Sequence, residues 1–381
     1  MTHDHSRPER APAEGSREVA DRMAEAARAW LDSLDPEQRR LGTGPAPGTD
    51  GAAEADRTRW YYTPTDHGGL TFAQQRPAQY RQVMRLVASG LSEAGYNTVA
   101  TVIGLENVLD RVEDFSVLWG RERSRDPNMY YLRVFGEPGG DRPWGWRFGG
   151  HHVSLNFLVA DGRVAATTPL FMGADPAASP LLGGTTLRPL AAAEDLARTL
   201  VRSLSPAAGG RALLLPRPPY DVVAGNSPRI DDRLITRRQL WHPDQMVPDR
   251  PDTPHTLLDD DERRAVSLAP PPRGVPAADL DAGQRELLRE LLGTYLGRVR
   301  EEISPLSRYD DPERLDAVHF AWAGSTEPGE AHYYRLHGPR LLIEWTKVHR
   351  NANHAHAVWR DPQTDFGGDV LAAHHAAYHV H

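Results

Sequence analysis

The sequence predicts an α+β fold built on antiparallel sheet. Three observations carry that expectation. Helical and strand-like stretches come in blocks (helices, strands, a helix, strands) rather than in the strict alternation of a parallel α/β sheet. Residues 129–172 and 317–359 each read as a run of short strands, the first holding an Asp161-Gly162 hairpin signal. Between the two blocks, residues 205–278 are Pro-rich and poor in periodicity, which suggests an extended excursion over the surface or a lid.

The elements follow in order. Residues 1–16 are polar and Pro-rich and are expected to be a disordered tail, with residues 17–378 forming one large domain. From Arg17, the residues Val19, Met23, Ala26, Ala27, Trp30, Leu31 and Leu34 recur at helical spacing. Asp35-Pro36 then restarts a helix, with Asp35 as N-cap and Pro36 in the first turn. Residues 43–55, rich in Gly, Pro, Ala and Asp, read as a loop, and Trp60-Tyr61-Tyr62 as a strand or extended segment. Helical spacing returns from about Ala78 to Leu91 and from Thr98 to Leu109. Four strands are expected next: Tyr130–Phe135, Trp144–Gly150, His152–Val159 and Arg163–Thr168. Helices over 191–204 and 281–299 flank the Pro-rich excursion and lead into the final strands. Leu34-Asp-Pro, Leu91-Ser-Glu, Leu204-Ser-Pro and Leu280-Asp-Ala echo one another, and good N-caps recur for physical reasons alone. Their irregular spacing excludes a solenoid.

Composition narrows the function. The 381 residues are 39% hydrophobic and 25% charged, as in a soluble globular protein with a sizeable core. A net charge of −8 with no basic stripe argues against nucleic acid as a partner. No window approaches the length of a membrane span, and the N-terminus lacks the apolar stretch of a secretory signal, so a cytoplasmic enzyme is expected. Cysteine is absent, so any metal must be held by nitrogen and oxygen. There is no Gly-x-Ser-x-Gly elbow, Walker A loop, dinucleotide fingerprint or His-Glu-x-x-His helix.

Histidine is the feature that points to chemistry. Ten of the 17 fall from His319 onward, spread through expected strands. On a strand, His354 and His356 point to one face, as do Leu342, Glu344 and Thr346 on the strand before, and His332 lies on the strand before that. Glu344, His354 and His356, with His332 or a histidine of the 151–152 pair, make a set of three or four nitrogen and oxygen ligands. Adjacent strand residues point to opposite faces, so one of His151 and His152 enters such a site unless Gly149-Gly150 bulges the strand. His152 is the expected ligand. His151 or Asp365 is the expected general base or acid, and Asp365 and His374 equally could orient the ligands. The set is weakly similar to cupin-type sites, where the His-x-His precedes the Glu, whereas Glu344 comes first here.

Several long motifs carry a family resemblance. Trp146-Arg-Phe-Gly-Gly-His-His-Val-Ser-Leu-Asn-Phe, Thr168-Pro-Leu-Phe-Met-Gly-Ala-Asp-Pro, His332-Tyr-Tyr-Arg-Leu-His-Gly-Pro, Asn353-His-Ala-His-Ala-Val-Trp-Arg-Asp and Asp365-Phe-Gly-Gly-Asp occur in one order. In these the chain resembles bacterial and fungal proteins of the domain-of-unknown-function family 3500, from about residue 20 to 378. The resemblance implies kinship of fold and brings no mechanism. Many relatives are exported, and the absence of a signal here departs from that pattern.

Together these readings predict a metal-dependent enzyme acting on a small organic substrate, with zinc, iron or copper held by His152, His332, Glu344, His354 and His356. Hydrolysis is favoured, an iron- or copper-dependent oxidation is the alternative, and a non-catalytic small-ligand-binding protein is the third reading.

Overall fold

The computed structural model describes residues 12–48, 51–118, 121–231, 237–244, 258–368 and 371. Most of the expected tail and the segment carrying His374 and His375 lie outside these residues. The fold is α+β, and its largest element is a single mixed, mostly antiparallel sheet of 13 strands.

The first half of the chain runs α1 (Pro12–Asp32), α2 (Pro36–Gly42), β1 (Thr43–Gly44), α3 (Gly51–Thr58), β2 (Leu70–Thr71), α4 (Pro77–Gly90) and α5 (Glu93–Val112). It continues through β3 (Tyr131–Phe135), β4 (Trp144–Gly150), β5 (Val153–Ala160), β6 (Arg163–Ala166) and β7 (Leu170–Ala174). A small separate ribbon, β8 (Ser179–Pro180) and β9 (Thr186–Leu187), leads into the second half. That half holds α6 (Ala191–Ser203), α7 (Pro206–Ala212), β10 (Leu213–Leu215), α8 (Asp260–Val266), β11 (Val275–Pro276), α9 (Ala282–Leu296) and α10 (Pro312–Asp316). It ends with β12 (His319–Gly324), β13 (His332–Gly338), β14 (Leu341–Val348), α11 (His349–Ala352) and β15 (His354–Arg360).

Local signals explain most of these boundaries. Asp35 accepts from the Gln38 amide and Gln38 returns a bond to the Asp35 amide, a capping box that starts α2 ahead of Pro36. Asp281 and Gln284 repeat the device at α9. Asp161 and Gly162, both at positive φ, form the two-residue turn between β5 and β6. Some expectations give way. The loop expected over 43–55 contains β1 and the start of α3. Trp60-Tyr61-Tyr62 is extended but joins no sheet, and Tyr62 instead stacks on Phe171 with ring centroids 4.2 Å apart.

The two halves repeat one plan. One constant offset carries Trp144–Gly150 onto His332–Gly338 and Val153–Ala160 onto Leu341–Val348. The ladders keep the same register, with Leu132 facing Phe148 where Phe320 faces Leu336. β1 pairs parallel to β3 at Thr43–Val134, and β10 pairs parallel to β12 at Leu213–Trp322. β2 and β11 are the matching antiparallel partners on the same strands. Hydrogen bonds repeat too. Gln79 donates to the Ser33 carbonyl at 2.7 Å, and Gln284 to the Ser203 carbonyl at 2.8 Å. Arg147 donates to the Arg57 carbonyl in the last turn of α3, and Arg335 to the Val266 carbonyl that ends α8. The echo of Leu34-Asp-Pro in Leu204-Ser-Pro therefore marks equivalent positions of an internal repeat, which cap chemistry alone does not require. Leu91-Ser-Glu and Leu280-Asp-Ala start α5 and α9, which are not equivalents of α2, so for them the capping explanation stands.

The halves meet where β7 pairs antiparallel with β15, placing Gly173 opposite His356 and Leu170 opposite Trp359. One face of the sheet packs on α1, α4, α5, α6 and α9 in one large apolar core. The other face is roofed largely by irregular chain, with Trp60, Tyr62, Val222, Leu240 and Trp241 over Phe171 and Val358, and Val223 and Ala224 over Tyr333 and Leu342. The excursion over 205–278 supplies much of that roof, and includes α7, β10, α8 and β11 besides. Irregular backbone brings unpaired carbonyls and amides into the interior, where they must find partners. Accordingly this sheet face carries buried charge. Arg147 donates to the carbonyls of Asp56, Arg57, Arg59 and His67, Arg335 to those of Val266 and Ser267, and Arg360 to those of Ser227 and Pro228.

Burial makes three histidines of this fold sensitive to acid. It lowers His67 to about 3, and His332 and His337 to about 4. Each is neutral in the folded chain above those values, whereas the unfolded chain protonates near 6.5. Their stabilising contribution is therefore complete above about pH 6.5 and is lost as pH falls toward 4. We expect the urea midpoint to drop steadily across that window, with unfolding near pH 5 taking up about three protons from these groups. A pH-independent midpoint between 6.5 and 4 would contradict this assignment.

Candidate metal centre

Three histidines from two distant places in the chain, the β4–β5 turn and the start of β15, bring their Nε2 atoms together on the roofed face at the seam. His152 and His354 are 2.7 Å apart, His354 and His356 2.9 Å, and His356 and His152 3.3 Å. These are the only three histidine, aspartate or glutamate side chains that converge in this way among the described residues. Three ligands of one ion with bonds of about 2.0–2.1 Å stand about 2.8–3.4 Å from one another, so the spacing fits. Protons alone do not satisfy it. A neutral imidazole Nε2 carries either a proton or a lone pair, so one pair can bond and the third nitrogen is left facing two others. A cation accepts from all three.

Each ring is aimed by local structure. His354 and His356 sit two apart at the start of β15 and share a face through strand alternation. The turn that feeds them places Arg350, Asn351 and Ala352 all at positive φ, and Arg350 fixes it by donating to Asp175 at 2.7 Å and to Glu113. His152 arrives differently. His151-His152 is the two-residue turn joining β4 to β5, and His152 adopts φ 64°, a conformation that costs a non-glycine residue about 1–2 kcal/mol. Two backbone bonds hold it there, from its amide to Tyr62 and from the Gly173 amide to its carbonyl. Gly173 must lack a side chain: a Cβ would stand 2.7 Å from the His152 ring and 2.8 Å from the Ala355 carbonyl.

Carboxylates back the ring nitrogens that face away. His356 Nδ1 meets Asp221 at 2.7 Å, and Asp221 also accepts from the Tyr62 hydroxyl at 3.1 Å. A donor at His356 Nδ1 leaves its Nε2 lone pair pointing into the cluster. His354 Nδ1 lies 3.5 Å from Asp175. Burial, reinforced by the neighbouring histidines, holds His152 and His354 well below the usual imidazole range, so both present neutral rings near pH 7. Burial also lifts Asp175 to about 6, against the pull of Arg350 and Arg125. The half-buried His349 stands beside the cluster, its ring centroid 5.3 Å from that of His354, with Tyr220 edge-on to it.

The structure thus brings together three of the residues singled out from the sequence and separates the others. Glu344 points to the same face but stands outside the convergent group, its oxygens taken by other partners. It is fully buried, and its carboxylate accepts from the amides of Val223 (2.6 Å) and Ala224 (3.0 Å) and from the Tyr333 hydroxyl (2.8 Å). By clamping that segment it positions Asp221, two residues away, behind His356. His332 lies on the opposite face, since it pairs with Lys347 where Thr346 pairs with His356. There it accepts from the Trp345 indole at 3.0 Å and stacks on Trp322. His151 is buried behind His152, with ring centroids 3.7 Å apart, and its Nδ1 meets Glu106 at 2.5 Å. It supports the cluster and does not line it. Asp365 pairs with Arg360 at 2.7 Å, beyond the far end of β15 from the histidines, and so does not reach them. Asp221 and Glu106 have nothing near them in the sequence to mark them, and Asp175 and Tyr62, though they lie in the Thr168–Pro176 motif and the Trp60–Tyr62 segment, carry no local sign of a site role. Each becomes visible only as the partner of a histidine or of another partner.

The second half shows what the repeat did with the equivalent turn. Where His151-His152 joins β4 to β5, Pro339-Arg340 joins β13 to β14, and Arg340 closes on Asp361 at 2.6 Å. One of the two related positions became a cluster of histidines and the other an ion pair.

Comparison with known proteins agrees with the resemblance in the motifs. No curated protein and no solved structure matches the chain. Among the described residues no helix is long and apolar enough to cross a membrane. The model of the family described as protein of unknown function DUF3500 matches residues 16–368, nearly the whole chain, and the protein belongs to that family.

Proposed function

We propose that the protein is a metal-dependent enzyme acting on a small organic substrate, with hydrolysis as the leading chemistry. The observation that carries this reading is the mutual approach of three imidazole Nε2 atoms at 2.7–3.3 Å, with Asp221 hydrogen-bonded behind His356. His152, His354 and His356 would hold a divalent ion by three nitrogens, a number that leaves coordination open on one side, as catalytic sites require. Such an ion, when bound, lowers the pKa of a coordinated water and polarises a carbonyl. Asp221 holds the His356 ring in the ligating orientation, and Glu344 holds Asp221 through the backbone. His349 and Tyr220, beside the cluster, are the side chains placed to meet a substrate.

A second reading is an iron- or copper-dependent oxidation. The observation favouring it is an all-nitrogen, thiolate-free set with the Tyr62 ring edge-on to His356 at 5.1 Å. Metal analysis of protein purified without chelators separates the two: zinc favours hydrolysis, and iron or copper oxidation. Protein that takes up none of these metals would leave a non-catalytic ligand-binding protein as the reading.

Three groups of variants test the site. Replacing His354 or His356 with Ala should abolish metal uptake and leave the circular dichroism spectrum unchanged, because the large helix-packed core does not depend on the site. Full metal occupancy in both variants would end the proposal. Asp221→Asn should keep the metal but weaken its affinity roughly 10–100-fold, the usual effect of losing a carboxylate behind a ligating histidine. Glu344→Gln should behave as a structural change: about 1–3 kcal/mol less stable to urea, with metal still bound. Loss of metal at undiminished stability would make Glu344 a ligand after all.

A further inference from the structure

A cavity of about 200 Å³ opens between the helices of the two halves, away from the histidines. It is lined by the first turn of α5, the start of α6 and the last turn of α9 with the residues after it. Small residues, Ala94, Gly95, Ala192, Gly293 and Gly297, give it its space. Exposed Ala94 and Ala192 stand at its mouth.

Two independent features of the lining ask for negative charge. The first is Arg298, a residue of the cavity lining that is 6% exposed. Its Nε donates to the Thr294 carbonyl at 3.0 Å and its guanidinium lies over the Tyr295 ring, yet it makes no ion pair among the described residues. Nη1 is buried and has no hydrogen-bond partner. Arg147 and Arg335, also buried without a carboxylate, each donate to several carbonyls, whereas Arg298 has one carbonyl partner for a charge that costs several kcal/mol to take out of water. The second feature is the start of α6. This helix of 13 residues begins after Leu190, which supplies no side-chain cap. The amides of Ala192 and Ala193 therefore lack both an intrahelical acceptor and a capping oxygen, and both residues line the cavity. The nearest acid on α6 does not compensate. Glu194 turns to Lys347 at 2.9 Å, Arg198 at 2.9 Å and Arg188 at 3.0 Å.

We infer that this cavity binds a phosphate-sized oxyanion, held by the Arg298 guanidinium and the uncapped first turn of α6. The volume is below that of sites for drug-sized ligands, which run from about 300 Å³, so the ligand is free inorganic phosphate or the phosphate end of a small metabolite reaching in through the mouth. The anion would bridge α5 of the first half to α6 and α9 of the second. Its site shares no residue with the metal centre.

The test uses the full chain after treatment with chelator, titrated with inorganic phosphate by calorimetry and by thermal melting against chloride at equal ionic strength. Wild-type protein should bind one equivalent, with a melting temperature that rises with phosphate. Ala192→Glu sets a carboxylate at the mouth, at a helix position where acid is favourable for folding. It should bind phosphate at least tenfold more weakly while melting no lower in chloride. Arg298→Met should lose the binding, and His354→Ala should keep it. Glycerol phosphate binding more tightly than phosphate would identify the ligand as an organic phosphate, and weaker binding as the free ion. No phosphate-dependent melting in wild type, undiminished binding in Ala192→Glu, or loss of binding in His354→Ala would each overturn the inference.

Discussion

The constraint on which the site depends is the need to satisfy irregular backbone over one face of the sheet. Helices own the other face and close it with apolar packing. The roofed face is covered by chain that cannot pair its own amides and carbonyls, and the sheet answers with buried Arg147, Arg335, Arg360 and Glu344. These groups are costly to bury alone, but each is matched to several backbone partners, and removing one would orphan them all. The roof is thereby fixed in position. Because Asp221 and Tyr62 belong to it, the partners of His356 are fixed as well.

The repeat supplies the frame in which this happens. Two copies of one sheet-and-helix plan meet at the pairing of β7 with β15, and the histidine cluster lies beside that seam. The copies agree where packing is generic: the register of the ladders, the Gln79 and Gln284 bonds, and the arginines that hold the ends of α3 and α8. They differ where chemistry is placed. His152 stands where the other half has Arg340, and Asn156 where it has Glu344. Asn156 donates to the Pro169 carbonyl, whereas Glu344 accepts from two amides, so the two halves hold opposite backbone groups with equivalent positions. Asymmetry between the copies is what leaves one cluster instead of two.

Support for the cluster extends in layers. Behind His152 stand His151 and Glu106, and burial lifts Glu106 to about 8. Behind His354 stand Asp175, Arg350, Glu113 and Arg125, an alternation of acid and base. Behind His356 stand Asp221, Tyr62 and, through the backbone, Glu344. A ring held by such partners would lose little entropy on taking up an ion, so the group is one that could hold a metal without rearrangement.

The sequence by itself determined what is local. Helical periodicity located α1, α4, α6 and α9, the Asp35-Pro36 and Asp281 caps located helix starts, and Asp161-Gly162 located a hairpin, because each signal acts within a few residues. Alternation also put His354 and His356 on one face, since that depends only on their spacing along a strand. Tertiary structure decided the rest. His152 joins them because a turn at positive φ aims its ring across more than 200 residues of chain, not because of a strand face. Glu344 lies on the correct face, and only the roof segment shows that its oxygens belong to Val223, Ala224 and Tyr333. His332 is excluded by register, which turns it to the helical side. The repeat itself is nearly silent in the sequence, for a fold conserves pairing geometry and burial long after side chains change, and those are properties of contacts between distant segments.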